Sequence, residues 1–472
     1  MKTLAILLII AVVGASASWY WAGRAAGPTL DIQSPQEAVG QIGQLELLID
    51  TPDAKLSRLE VVIEQAGAQL PIFRLPEDGS EVLVRQSERQ LKLVRPIGKR
   101  NLDLQAGAAR IVVTAERPVL FGLRHAQSTA VRDIQVRLTP PTIAVTSTFH
   151  YINHGGSETV VYRVSPSDVT SGVRVGEYEY AGFPASGAGV EHADPGLRVA
   201  FFALLWNQDV NVPIQLYARD SLGNESSAQF DYRAFPKKFR RSRIELNDRF
   251  LMKVVPEILR QAPELSVDNP SDLLGSFIKI NRDLRKQDND RIAALAALTT
   301  GEMLWHGPFR QLVNTAVEGG FADQRTYLYH GKEVDEQVHL GFDLASTTNA
   351  PVVAANAGRV VHAGWLGIYG NCVILDHGMG LQSLYAHLSS IEVGPGDAVE
   401  QGDRLGRSGS TGLAAGDHLH FTTLLAGHPV TPVDWWSPKW IQDRIARKFR
   451  EAGAAAAPAD AKTDEASGRE GQ

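Results

Sequence analysis

Along the chain, apolar and polar positions fall into stretches of distinct period. An almost uncharged apolar run from Leu4 to Val13 follows Lys2 and leads through Ala15-Ser16-Ala17 to Trp19-Tyr20-Trp21, with Arg24 as the next charge. A short apolar region before small residues fits a cleaved signal peptide. A retained signal anchor over residues 1–27 fits the length and places the Trp-Tyr-Trp cluster as an interfacial aromatic belt, and this is the favoured expectation. From 28 to 140 short alternating runs such as Leu45-Glu46-Leu47-Leu48-Ile49 and Arg110-Ile111-Val112-Val113-Thr114 are separated by Gly, Pro and Asp, which predicts a β-sandwich-like domain. The same texture over 141–236 predicts a second, immunoglobulin-like β domain, with Ala218-Arg219-Asp220-Ser221-Leu222-Gly223-Asn224 as its closing turn.

A basic stretch, Lys237 to Arg243, opens a helical linker region over 237–303. Asn269-Pro270-Ser271-Asp272 is placed as an N-cap and first turn, Leu273, Phe277, Ile280 and Leu284 recur at helical spacing, and a second helix is predicted over Asp288 to Leu298. A β-rich segment follows over 304–440. Residues 441–472 read as a short helix and a disordered tail, the latter from Ala452, where Ala, Gly, Pro and charge lack periodicity. The fold class expected is therefore multidomain and mainly β: N-terminal β-sandwich-like domains, a helical linker region and a C-terminal β-rich domain.

Composition narrows the function classes. A length of 472 residues implies two to four cores. A net charge of −6 gives no pull toward nucleic acid. The single cysteine, Cys372, excludes an intramolecular disulfide and any thiolate-rich zinc site.

Histidine changes the picture, because 8 of the chain's 13 lie between His330 and His428. Three patterns stand out: His339-Leu340-Gly341-Phe342-Asp343, Tyr385-Ala386-His387-Leu388, and His418-Leu419-His420-Phe421. Residues two apart on a strand share a face, so His418 and His420 aim two imidazoles into one site. His339 and Asp343 add a nitrogen and a carboxylate. Two histidines and a carboxylate leave one position open on a zinc ion, the catalytic arrangement and not the structural one. Each pattern alone is common; their concurrence in one short region is what points to a metal. The remaining histidines are given bland places: His150 and His154 at the surface, His362 and His377 structural, His330 and His428 in loops.

These three motifs, in this order, resemble the lysostaphin-type (LytM-type) zinc metallopeptidases. Pro351-Val352-Val353-Ala354-Ala355, Gly370 to Gly378 and Gly409-Ser410-Thr411-Gly412 resemble the family's intervening strands and turns, and the likeness covers about 304–437. The resemblance implies a C-terminal metallopeptidase domain with one zinc ion held by His339, Asp343 and His420, and His387 and His418 as catalytic histidines beside it. It implies an endopeptidase that hydrolyses peptide cross-links of bacterial peptidoglycan. The expected partners are that peptide substrate, the membrane through the N-terminal helix and a protein regulator, with no nucleic acid. The expected place is the cell envelope, at the cytoplasmic membrane with the catalytic domain on the periplasmic side. The alternative is a non-catalytic envelope protein of the same fold that regulates another wall hydrolase. One departure stands out. Where the family often has Phe-Gly-x-x-Arg, this chain has Phe321-Ala322-Asp323-Gln324-Arg325, which predicts an altered turn, followed by a loop from Arg325 to His339 along one wall of the groove.

Overall fold

Alternating burial shows how the sandwich forms. In the strand Gly43–Asp50, Leu45, Leu47 and Ile49 point inward, and in Arg58–Gln65 the inward set is Leu59, Val61 and Ile63, so each strand presents one apolar face. The computed structural model describes residues 2–456, with side-chain environments for 6–454. Residues 457–472, where most of the tail was expected, lie outside the described residues.

The chain divides into two compact units. The first comprises residues 1–141 with Arg219–Ser226. A four-stranded sheet and a five-stranded sheet, both mainly antiparallel, enclose one apolar core that includes Leu47, Val61, Phe73, Leu93 and Val113. The Asp220–Asn224 turn belongs to this unit, and the Asn224 amide donates to the Arg137 carbonyl at 2.9 Å. The unit begins with a helix, Lys2–Ala22, on which Ile6 to Ile10, Trp19 and Trp21 are exposed. Among the described residues no helix is long and apolar enough to cross a membrane, so the structure does not bear out the transmembrane expectation for 1–27.

The second unit comprises 142–218 and 227 onward. The strands Thr142–Val145, Ser157–Ser165 and Leu197–Ala203 form an antiparallel sheet with Phe183–Pro184. One apolar core runs from this module into the C-terminal β region: Phe201 packs on Trp305 and Trp435 at ring distances of 6.4 and 5.7 Å. His150, expected at the surface, is buried, with its ring bonded to Ser147 Oγ and the Asp231 carbonyl. The apolar neighbours on its strand carry it inward.

The helical region differs from expectation in three ways. A helix, Asp248–Gln261, capped by Asn247, precedes those predicted; Leu251, Val254, Val255 and Ile258 bury its inner face. The next helix starts at Leu273 with Asp272, not Asn269, as its cap, because the Asp272 carboxylate accepts from the Gly275 N–H at 2.9 Å. Its stripe of Phe277, Ile280 and Leu284 continues through one π turn into Arg285–Leu295, so the second helix begins before Asp288. The basic stretch is also more than a linker, since Arg241–Leu246 pairs in parallel with Asp323–Tyr329. The expected loop from Arg325 to His339 is a hairpin of Asp323–Tyr329 and Lys332–His339. At the C-terminus, Arg447–Ala456 is helical through the start of the expected tail.

The C-terminal sheet runs in the order Ala316–Gly319, Phe342–Ala345, Leu419–Leu425, Leu381–Leu388, Asn371–Gly378, Gly358–Trp365 and Ala398–Val399, with His428–Val430 added beside Leu419–Leu425. His428 therefore lies in a strand and not in a loop, its ring 4.7 Å from that of Tyr178. His377 is fully buried between the Ala357 carbonyl and Ser383 Oγ, and burial pulls its pKa down to about 4. The unfolded chain binds the proton near pH 6.5 and the folded one does not until about 4. Stability from this residue is full above pH 6.5 and falls on acidification through that window, by roughly 3 kcal/mol. Denaturant titrations between pH 7 and 4 are expected to show this decline, and a shallower one in His377→Gln. An identical slope in the variant would exclude His377 as its source.

Candidate metal centre

The sheet register assembles the cluster. Asp343 lies directly opposite His420 across the antiparallel pair Phe342–Ala345 and Leu419–Leu425. On the other side of that strand, Ala386 opposes His420, which brings His387 alongside. His339 ends its own strand opposite Asp323. His418 lies just before its strand, held by a bridge to Gly409, and shares the face of His420 as the two-residue spacing predicts.

The backbone must approach closely here. A Cβ on Gly341 would lie 2.5 Å from both His420 Nε2 and Thr422 Oγ1, so the glycine of His-Leu-Gly-Phe-Asp has a steric reason. The departure at Ala322 has the opposite outcome from that expected. Ala322 takes φ +60, and its N–H donates to the His339 carbonyl at 2.7 Å, so the left-handed turn forms without a glycine. His387 also has a left-handed backbone, φ +61, at the irregular end of its strand, and this turns its ring toward His418 and His420 at 4.9 and 5.7 Å.

Hydrogen bonds decide which ring atoms are free. His339 Nδ1 lies 2.9 Å from the Gly320 carbonyl, an acceptor, so Nδ1 carries the hydrogen and Nε2 is a bare lone pair. Thr422 Oγ1 donates to the Leu340 carbonyl at 3.0 Å, so it must accept from His420 Nε2 at 3.0 Å; His420 Nδ1 is then bare. These two lone pairs lie 3.0 Å apart, and Asp343 Oδ1 is 2.9 Å from one and 3.0 Å from the other. Three acceptors facing one another with no hydrogen between them repel unless a cation joins them. The donor set, two imidazole nitrogens and a carboxylate oxygen, suits zinc, whose bonds of about 2.0–2.1 Å to such atoms place tetrahedral ligands roughly 3.3 Å apart. The described residues contain this one group of donors close enough to hold a metal ion: His339, Asp343 and His420.

Charge around the cluster is consistent with that role. Burial opposes ionisation of Asp343, yet the surrounding imidazoles, His339 foremost, hold its carboxyl well below the usual range. Arg325 Nη2 donates to Asp343 Oδ2 at 2.9 Å, leaving Oδ1 for the cluster. Burial keeps His387 neutral, with the nearby His418 and His420 acting in the same direction. His387 Nδ1 donates to the Thr411 carbonyl at 2.8 Å, so its Nε2 is free; His418 Nδ1 donates to the Gly416 carbonyl at 3.0 Å, and against the opposing pull of burial the Asp343 carboxylate raises the pKa of its ring. His418 Nε2 is 3.4 Å from Asp343 Oδ1.

All five residues singled out in the sequence thus meet at one place. Sequence reasoning missed the residues that orient them. Thr422 was legible, because it continues the same-face series 418, 420, 422. Arg325 had no signal beyond its place in an imperfect motif. The cluster opens into a cavity of about 290 Å³. Its far wall comes from the helical region, through Asn247, Phe250, Phe277 and Arg285. Lys253 secures this wall by donating to the Ala414 and Ala415 carbonyls at 3.2 and 3.3 Å.

Comparison with known proteins agrees with this geometry. Residues 337–432 match the model of Peptidase family M23. Over 97 residues the chain is 40% identical to the DD-carboxypeptidase/endopeptidase Mpg of Neisseria meningitidis serogroup B, covering 21% of this chain and 22% of that protein. Over 92 residues it is 39% identical to the peptidoglycan DD-endopeptidase ShyA of Vibrio cholerae serotype O1, covering 20% and 21%. To the peptidoglycan DD-endopeptidase ShyB of the same organism it is 32% identical over 114 residues, covering 24% and 26%. The chain therefore spans about a fifth to a quarter of the length of these relatives, and the family match at 337–432 includes His339, Asp343, His387, His418 and His420.

Proposed function

We propose that the Peptidase family M23 domain of this chain is a zinc-dependent endopeptidase that hydrolyses peptide cross-links of bacterial peptidoglycan. The observation that carries the reading is the convergence of three lone-pair donors, His339 Nε2, His420 Nδ1 and Asp343 Oδ1, beside the imidazoles of His387, whose Nε2 is free, and His418. Zinc bound there supplies Lewis-acid polarisation of a peptide carbonyl and acidifies a water molecule. The chain does the rest. Gly320 and Thr422 fix the tautomers of the two ligand rings. Asp343, with Arg325 behind it, keeps the carboxylate ionised. His387 offers an unprotonated Nε2 that can accept the proton of an attacking water and return it to the departing amine, and His418 stands beside it with its ring held between the Gly416 carbonyl and Asp343.

The non-catalytic alternative is disfavoured because this chain retains every donor and both neighbouring imidazoles. Function follows such a site and not the fold. The substrate class rests on the relatives' names together with the cavity at the cluster. We also place the enzyme outside the cytoplasm, where its substrate lies, with the exposed apolar helix Lys2–Ala22 directing the chain to the membrane. Incubating the purified chain with cross-linked muropeptides is expected to give monomers by mass spectrometry, with cleavage abolished by a chelator and restored by zinc. A chain that carries stoichiometric zinc and leaves every cross-link intact would favour the regulatory alternative.

A further inference from the structure

Within the second unit, the cavity beside the metal cluster contains a cation that none of the chemistry above uses. Arg285, at the start of the helix Arg285–Leu295, lines the same cavity as Asp343, His387 and His420, although it lies outside the matched family segment. Its guanidinium is held by one residue. Nε donates to the Asn281 carbonyl at 3.1 Å and Nη2 to Asn281 Oδ1 at 2.6 Å. Asn281 is fully buried and is itself fixed, its amide donating to Asp335 Oδ2 at 2.7 Å.

The neighbouring acids are committed elsewhere. Asp335 pairs with Arg282 at 2.7 Å, Asp343 with Arg325 at 2.9 Å, and Asp288, which accepts from the Ile368 N–H at 2.8 Å, pairs with Arg291 at 3.7 Å and feels the charge of Arg285 without ion-pair contact. Among the described residues Arg285 has no ion-pair partner, and its Nη1 has no hydrogen-bond partner. A guanidinium held rigidly, with no carboxylate in ion-pair contact, in the wall of a binding cavity is arranged to receive a planar anion.

We propose that Arg285 is a specificity residue that binds a free carboxylate on the substrate next to the scissile amide. The inference rests on the peptidase reading and narrows it. In a cross-link made directly to diaminopimelate, the acylated nitrogen sits on a carbon that also bears a free carboxylate. In a glycyl bridge, the corresponding carboxyl is consumed in the next amide. Arg285 therefore selects cross-links whose amine side carries the free acid. The group comes from the helical region and not from the peptidase sheet, so that region is a wall of the substrate site.

The test uses two synthetic peptides. In one, D-alanine is joined to an amine of meso-diaminopimelate whose adjacent carboxylate is free; its twin carries a primary amide at that carboxyl. The zinc-loaded full chain is expected to cleave the acid about ten- to a hundredfold better in kcat/KM, in line with one charge-assisted contact. Arg285→Gln is expected to bring the acid-to-amide ratio of kcat/KM down to about one, and Arg285→Lys to retain part of the preference. Calorimetry on the metal-free full chain reads the same preference as a ratio of Kd values without any cleavage. Equal treatment of the two peptides by the unsubstituted chain, or a loss in Arg285→Gln shared equally by both, overturns the proposal. If neither peptide is cleaved but the Arg285-dependent binding preference is present, the carboxylate site stands and the hydrolase reading fails. If the binding preference is absent, the carboxylate site fails whatever the cleavage result.

Discussion

Replacing His420 by alanine is expected to remove zinc from the purified chain and to lower kcat/KM for cross-link cleavage by at least about a thousandfold, as expected when the Lewis acid itself is lost. His420 is the centre of the arrangement. Its Nδ1 lies within 3.0 Å of both other donor atoms, and its ring packs on Tyr369 at 5.7 Å. Without it, His339 and Asp343 leave two ligands, too few for the three-ligand site that catalytic zinc requires. A graded control comes from the atom behind the ring. Thr422→Val removes the acceptor for His420 Nε2 and frees the ring to rotate or change tautomer, so zinc affinity is expected to fall about ten- to a hundredfold with the fold intact. Metal content by mass spectrometry and affinity by competition with a chelating dye read both variants. A His420→Ala chain that keeps one zinc and cleaves normally would end the metal-centre assignment.

Lys448→Ala is expected to destabilise the second unit by about 3–5 kcal/mol. Lys448 lies on the C-terminal helix and is fully buried, as is its partner Glu158 on the strand Ser157–Ser165. Its Nζ donates to Glu158 Oε1 at 2.9 Å and to the Thr159 carbonyl at 2.6 Å. Glu158 also accepts from the Tyr151 and Thr159 N–H groups. Burial raises the pKa of Glu158 and lowers that of Lys448, so each charge depends on the other. Removing the lysine leaves a carboxylate in an apolar interior with only Arg444, 3.7 Å away, to balance it. The double variant Glu158→Gln/Lys448→Met removes both charges and is expected to lose clearly less than the sum of the single changes. Urea midpoints for the wild type, both singles and the double give the coupling. Additive losses would mean that the pair is not interacting as drawn.

The two predictions concern parts of the chain that differed in legibility. The candidate donors could be recognised because each of their motifs is local and the order of the motifs resembles a known family. His-x-His on a strand shares a face by the period of the backbone, and His-Leu-Gly-Phe-Asp closes one short turn. The β texture of the first unit was legible for the same reason, since Leu45, Leu47 and Ile49 alternate with polar neighbours. Glu158 and Lys448, 290 positions apart, carry no such pattern. A lysine in a terminal helix looks solvated until a strand from another module is placed over it.

Near the site the same distinction holds. Asp248–Gln261 had a readable apolar stripe, yet nothing local announces that Phe250 faces a metal cluster. The basic run at 241–243 reads as a linker because its strand partner, Asp323–Tyr329, lies some 80 residues on. Ala322 was expected to disturb a turn that prefers glycine. A buried hydrogen bond to the His339 carbonyl holds it in the left-handed region all the same.

The amino-acid sequence by itself determined the separate motifs that hold the candidate donors, the strand period that aligns His418 with His420, and the mainly β character of the chain, because each depends on residues a few positions apart. The tertiary structure alone decided which ring nitrogens are bare, that Arg325 steadies Asp343, that Arg285 stands unpaired in the cavity wall, and that Lys448 is buried. Those outcomes depend on distant segments meeting, and the free energy of such meetings is set by burial and pairing that no local pattern encodes.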